Sequence, residues 1–114
     1  MSVTIDSRLL TQLSKDVFKA CGTPEDEAAV VAEHLVTANL MGYDTHGVIR
    51  IPQYLEAVTQ GAIVPGAPIT IQRETSTTGI VDCGWNFGQV GGRWAMEIAV
   101  EKARSKRSFR VREN

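Results

Sequence analysis

Between residues 61 and 68 the chain carries two glycines and two prolines (Gly61, Pro65, Gly66 and Pro68), and the hydrophobic period changes across this break. Before it, apolar residues recur every three or four positions. After it, they alternate. The first spacing lines one face of a helix and the second lines one face of a strand. The chain therefore reads as α+β: an N-terminal three-helix domain over residues 1–62, then a β-hairpin and a helix that open a second domain over residues 63–114. A length of 114 residues allows a modest core.

Ile5, Leu9, Leu10, Leu13, Val17 and Phe18 predict an amphipathic helix over residues 6–20, capped by Asp6 or Ser7 and ended by Cys21-Gly22, with Gly22 turning left-handed. Thr23-Pro24-Glu25-Asp26-Glu27 is a start signal: an N-cap threonine, proline at the first helical position, and acids over the positive end of the helix dipole. The second helix runs through Ala28, Val31, Ala32, Leu35, Val36 and Leu40 to Met41-Gly42, with His34 at the rim in a structural role. A third helix is expected from about residues 45–47 to Gln60, burying Val48, Ile49, Leu55 and Val58. Pro52 removes one backbone donor from it, so its first turn, carrying His46, can stand apart. Past the break, residues 69–74 and 79–83 read as two strands around a turn at 75–78. Residues 90–106 read as a helix, with Trp94, Ile98 and Val100 inward and Glu101, Lys102 and Arg104 outward. Residues 108–112 read as the start of a third strand whose partner is absent.

The chemistry concentrates in Gly42-Tyr43-Asp44-Thr45-His46-Gly47-Val48-Ile49-Arg50, with Tyr54 one turn further on. Asp44 and Thr45 are good N-caps. A helix starting there puts His46 and Arg50 four residues apart on one face. Arg50 can then grip a carboxylate with two prongs while His46 presents a titratable nitrogen one turn away. That pairing suits a small 2-oxo or 2-hydroxy acid: the arginine orients it and the histidine moves a proton to or from its oxygen. Thr45 can hydrogen-bond a substrate oxygen, and Tyr54 either closes the pocket or packs. Asp44 either caps the helix, the preferred reading, or pairs with His46. Spacing alone does not separate this run from an ordinary solvated helix face. Zinc held by Asp44, His46 and His34 would lack a fourth ligand, and no metal is expected. A second glycine-rich run, Gly84-Trp85-Asn86-Phe87-Gly88-Gln89-Val90-Gly91-Gly92, lies between a strand and a helix, where phosphate loops occur. Its spacing is not G-x-G-x-x-G and no Gly-Lys-Ser/Thr follows, so it reads as a tight turn with close helix packing.

The run from Gly42 to Arg50 with Tyr54 resembles the G-x-D-[ST]-H-G-x-x-R…Y signature of the malate/L-lactate dehydrogenase family. This NAD(P)-dependent group includes ureidoglycolate, sulfolactate and piperideine-2-carboxylate oxidoreductases and is unrelated to the Rossmann-type lactate dehydrogenases. The preceding helix, the Gly61…Val64-Pro65-Gly66 turn and the Val81-Asp82…Gly88…Gly91…Ala95-Met96 segment fall in the family's order, so the resemblance extends over residues 5–105. It implies an N-terminal third of a homodimeric oxidoreductase of 2-hydroxy or 2-oxo acids using NAD or NADP, with only the beginning of a non-Rossmann cofactor domain. By the same resemblance His46 is catalytic and Arg50 and Thr45 bind substrate, while the cofactor-binding residues remain unassigned. The family's site also uses an Asp and a histidine in an Asn-x-x-His-[FIV]-G stretch, both downstream of the region matched here. Where the family has an apolar strand, this chain reads Lys106-Arg107-Ser108-Phe109-Arg110-Val111-Arg112-Glu113-Asn114. This reads as a frameshift, premature stop or truncated gene model near residue 107, and the 114 residues are expected to be inactive alone.

Charge and composition narrow the alternatives. Residues 1–100 hold six Lys/Arg against eleven Asp/Glu, and residues 101–114 hold six against two. A basic tail of this kind can bind nucleic acid, but Phe109 is its only aromatic residue, and no nucleic-acid partner is expected. Cys21 and Cys83 fit no metal spacing and no C-x-x-C pattern. The N-terminus lacks a signal-peptide pattern, and no apolar stretch approaches the ~18 residues that span a bilayer. Cytoplasm, with reduced thiols and no membrane contact, is the expected location. The competing reading is a helical interaction or dimerisation module without catalysis.

Overall fold

The computed structural model describes residues 3–105 and 110–113. The chain divides into two compact units, Met1–Gly66 and Ala67–Asn114.

In the first unit, α1 (Ser7–Ala20) starts at the expected cap: the Asp6 carboxylate accepts the N–H groups of Arg8 at 2.9 Å and Leu9 at 3.3 Å. It closes as a Schellman turn. Gly22, at φ 98°, donates its N–H to Lys19 O, and Thr23 donates its N–H to Phe18 O. This closure corrects the expected start of α2 (Glu25–Leu40). Thr23 serves the end of α1, and Pro24 occupies the cap position of α2 with no side-chain cap bond. The three acids Glu25, Asp26 and Glu27 remain in the first turn, where they face the positive end of the dipole.

The buried face of α1 also differs from expectation. Ser14 and Phe18 are buried, whereas Leu9, Leu13 and Val17 are 54%, 49% and 38% exposed. The face turned inward is the row Leu10, Ser14, Phe18, one residue around the helix from the apolar row Leu9, Leu13, Val17. Opposite lie Ala28, Val31, Ala32, Leu35 and Val36 of α2, all buried. Phe18 fills the centre of this layer, and truncating such a side chain to alanine costs about 3–5 kcal/mol. At the rim, the Lys15 and Lys19 ammonium groups lie 3.3 and 3.4 Å from the Glu25 carboxylate, tying the start of α2 to α1.

The expected third helix is broken into three pieces. Two 3₁₀ turns, Asp44–His46 and Val48–Arg50, precede α3 (Ile51–Thr59). Pro52 then falls in the first turn of α3, where its missing N–H has no carbonyl to serve. Ile49, expected inside, is 70% exposed because the broken backbone turns it outward.

In the second unit, β1 (Thr70–Glu74) and β2 (Thr78–Asp82) form the expected antiparallel hairpin, with Thr70 opposite Asp82, Glu74 opposite Gly79, and a bulge between Ile71 and Arg73. Thr75 closes the turn: its N–H donates to Thr78 O, and its hydroxyl accepts from Thr78 N–H at 3.0 Å. α4 (Gly88–Ser105) follows. β3 (Arg110–Glu113) pairs in parallel with β2, giving the sheet order β1-β2-β3. The third strand therefore has a partner within the chain, because α4 supplies the crossover that a parallel pair requires. Ser108 and Phe109, read as the start of that strand, lie outside the described residues. So does the charged break expected near residue 107.

Val81, Cys83 and Ala95 form the core of this unit, with Ile69, Trp94 and Ile98 packed against them. Two expectations for α4 reverse. Val100 is exposed, and Lys102 turns inward, its ammonium donating to Glu74 Oε2 at 2.9 Å and Thr75 O at 2.7 Å. The long stem of the lysine covers the hairpin while its head finds polar partners.

A site built around Thr45

α2 ends in a second Schellman turn. Gly42, at φ 84°, donates its N–H to Asn39 O, and Tyr43 donates its N–H to Ala38 O. The chain then reverses into the first 3₁₀ turn, closed by His46 N–H on Tyr43 O at 2.9 Å and Gly47 N–H on Asp44 O at 3.1 Å. Gly47 itself is extended, with φ −98° and ψ −150°, so the helical path stops there and restarts at Val48. His46 and Arg50 are therefore not one turn apart on a single α-helix, as their spacing suggested.

What brings them together is Thr45. Its hydroxyl lies 3.1 Å from His46 Nδ1, and its carbonyl accepts the Arg50 Nε–H at 2.7 Å. Arg50 Nη1 also donates to Gln53 Oε1 at 2.9 Å. Nε and one Nη1 donor are thereby engaged, and the Nη2 end of the fork has no partner among the described residues. Thr45 and His46 are exposed, and Arg50 is half-buried. The arrangement offers a cationic fork, a hydroxyl and an imidazole on one short segment. If the threonine donates to Nδ1, the ring carries its proton on Nε2; the reverse arrangement leaves a lone pair there.

The other expected residues fall around this centre. Asp44 neither caps a helix nor pairs with His46. Its Oδ1 accepts from Asn39 Nδ2 at 2.9 Å, while Asn39 Oδ1 accepts the Val48 N–H at 2.9 Å. Asn39 was invisible to motif reading. The only signal was an amide residue, a poor helix former, in the last turn of a helix just before the motif. Tyr54 packs, its ring centroid 6.4 Å from that of Phe18 and tilted by 46°. His34 is exposed, and with Thr37, Ala38, Met41, Tyr43 and His46 it lines a mostly apolar concavity of about 390 Å³. Among the described residues, no three His, Cys, Asp or Glu side chains cluster closely enough to hold a metal ion.

The second glycine-rich run opens as a tight turn between β2 and α4. Gly84 N–H donates to Asp82 Oδ1 at 2.9 Å, Asn86 N–H to Cys83 O at 3.0 Å, and Phe87 N–H to Asn86 Oδ1 at 2.7 Å. These three donors are committed inside the turn and are not open to a phosphate. No cofactor contact is assigned to this turn.

A family model described as malate/L-lactate dehydrogenase matches residues 5–108. The L-sulfolactate dehydrogenase of Methanocaldococcus jannaschii is 41% identical over 90 residues, which cover 79% of this chain and 26% of that protein. The malate dehydrogenase of Pyrococcus abyssi is 40% identical over 97 residues, covering 85% of this chain and 25% of that protein. Among solved structures, the malate dehydrogenase of Pyrococcus horikoshii superposes with a TM-score of 0.89 at 30% identity, over 91% of this chain and 30% of that one. The chain thus spans about a quarter of the length of the curated relatives it matches. With the family model covering nearly the whole sequence, this chain belongs to the malate/L-lactate dehydrogenase family.

Proposed function

We propose that these residues form the acid-binding part of an oxidoreductase that interconverts 2-hydroxy and 2-oxo acids such as malate or L-lactate, with NAD or NADP as the hydride carrier. The observation that carries this reading is the convergence of His46 and Arg50 on Thr45. The free Nη2 end of Arg50 holds the carboxylate of the acid. The Thr45 hydroxyl contacts a substrate oxygen. His46 contacts or protonates the oxygen on C2, where a ketone becomes an alkoxide and charge develops. Membership of a dehydrogenase family supports a nicotinamide cofactor. No step of hydride transfer is assigned to these residues. A division into a helical domain over 1–62 and an α/β cofactor domain beginning at 63, a cytoplasmic location and a homodimeric whole belong to the same reading. No helix among the described residues is long and apolar enough to cross a membrane.

Titration calorimetry with oxamate, an isostere of a 2-oxo acid, tests it. The 114-residue chain is expected to bind oxamate, and Arg50→Ala to weaken binding about tenfold or more, the loss of a charge-assisted pair. Unchanged affinity in Arg50→Ala would remove the basis of the reading. The isolated chain is expected to give little or no NAD(P)H-dependent turnover of pyruvate or oxaloacetate, and robust turnover would refute that part.

One observation favours a second reading, a self-association module. The apolar row Leu9, Leu13 and Val17 on α1 is exposed at helical spacing, a stripe suited to another helix. Sedimentation that shifts with concentration, and a Leu13→Glu variant that stays monomeric, would support it.

A further inference from the structure

Asn39 sits in the last turn of α2, and both ends of its amide are engaged. Nδ2 donates to Asp44 Oδ1 and Oδ1 accepts from Val48 N–H, each at 2.9 Å. A carboxylate needs a donor and an N–H needs an acceptor, so these two partners dictate which way the amide faces. The two anchor points, residues 44 and 48, bracket Thr45, His46 and Gly47. Gly47 is buried directly beneath the clamp, and a Cβ there would overlap the Asn39 amide. From this bracketed segment hangs the rest of the site: the Thr45 carbonyl holds Arg50 Nε, and the Gly47 carbonyl accepts the Arg50 N–H at 3.0 Å. A leucine of similar size at position 39 would satisfy neither partner. An aspartate would satisfy Val48 but confront Asp44 with a like charge.

We infer that Asn39 is a positioning residue for the acid site: with Asp44 it fixes the 44–48 segment to α2 and so sets where Thr45, His46 and Arg50 stand relative to one another. The inference rests on the acid-binding reading above. It also gives Gly47 and Asp44 their roles: the glycine leaves room for the clamp, and the carboxylate fixes the orientation of its amide.

The pair can be interchanged, which provides the test. In Asn39→Asp the two carboxylates repel and the clamp opens. In the double variant Asn39→Asp with Asp44→Asn, an amide donates to a carboxylate again in the reverse sense, while residue 39 still accepts Val48 N–H. Nuclear magnetic resonance of the 114-residue chain would follow exchange of the Arg50 Nε–H and the Val48 amide without ligand, and oxamate affinity by titration. The amides of Val31 and Leu35 in α2 serve as the folding control. In Asn39→Asp, exchange at both probes is expected to accelerate about tenfold, the loss of one well-made bond, with oxamate affinity falling by a similar factor. The double variant is expected to return both within about twofold of the parent. Asn39→Asp behaving like the parent at both probes would overturn the inference. So would a double variant with slow α2 exchange that remains open at residues 48 and 50. If Asn39→Asp unfolds α2 as well, the double variant decides alone, by recovery or failure. Should the parent chain not bind oxamate, the acid-binding reading falls, while the exchange arms still judge the clamp.

Discussion

Two glycine-rich segments of this chain, residues 42–50 and residues 82–88, look alike in sequence: each leaves a regular element, turns on glycines and leads into a helix. They use their backbones in opposite ways. In the first, a side chain from the preceding helix, Asn39, holds the turn from outside, and Thr45, His46 and Arg50 project from it. In the second, the turn is held mainly from within. Asp82, Cys83 and Asn86 take up three of its N–H groups, the Asn86 amide also donates to Ala67 O, and Gly84 and Trp85 sit at φ 60° and 67° in successive left-handed positions. A loop fixed from outside offers side chains for chemistry. Glycine content does not tell the two apart.

The largest expected effect comes from filling the space under the clamp. Gly47→Ala places a Cβ against the Asn39 amide and should lower stability by about 2–3 kcal/mol, near the upper end of overpacking, together with oxamate affinity. Chemical denaturation and calorimetry read both, and loss of affinity without loss of stability would show that the segment moves independently of α2. In the other turn, Asn86 is buried and bonds to Ala67 O and Phe87 N–H, so Asn86→Ala should cost about 1–2 kcal/mol with no change in oxamate binding. A parallel loss of oxamate affinity would erase the contrast between the segments.

Trp85→Gly should act in the opposite direction. The side chain is 80% exposed and little packing is lost, while relief of the left-handed backbone should add about 0.5–1 kcal/mol. A destabilised variant would mean that Trp85 makes contacts that outweigh its strain. The smallest effect belongs to the α1–α2 rim. Hydrogen bonding from Lys15, with the charge of Lys19 beside it, lowers the Glu25 pKa below its ordinary 4.5. The native state therefore favours the ionised form. This contribution is fully present above pH 4.5 and is lost as pH falls through the lowered native value. Thermal melts from pH 6 down to 3 should show a shallower acid decline for Glu25→Gln than for the parent; equal slopes would show that the pair is idle.

Much of the fold was legible because local signals act over short distances. The Asp6 cap, the left-handed Gly22 and the Thr75–Thr78 turn of the hairpin each depend on residues within four positions of one another. What stayed hidden depends on partners the chain brings from further away. Periodicity shows that α1 is amphipathic but not which of two adjacent rows is covered, so Ser14 replaced Leu13 on the inner face. The parallel pairing of β3 with β2 depends on a crossover through α4. At the site, the residue types were readable, but their geometry was not. An i, i+4 helical spacing was the expected link between His46 and Arg50, and the observed link is the Thr45 carbonyl and hydroxyl on a broken backbone held from Asn39.

The most direct measurement is shift mapping by nuclear magnetic resonance of the 114-residue chain with increasing oxamate. Saturable movement of the Arg50 side-chain N–H and His46 ring signals is expected, with Trp85 and the α4 amides unmoved. Saturation at Trp85 and the start of α4, with Arg50 and His46 still, would contradict it.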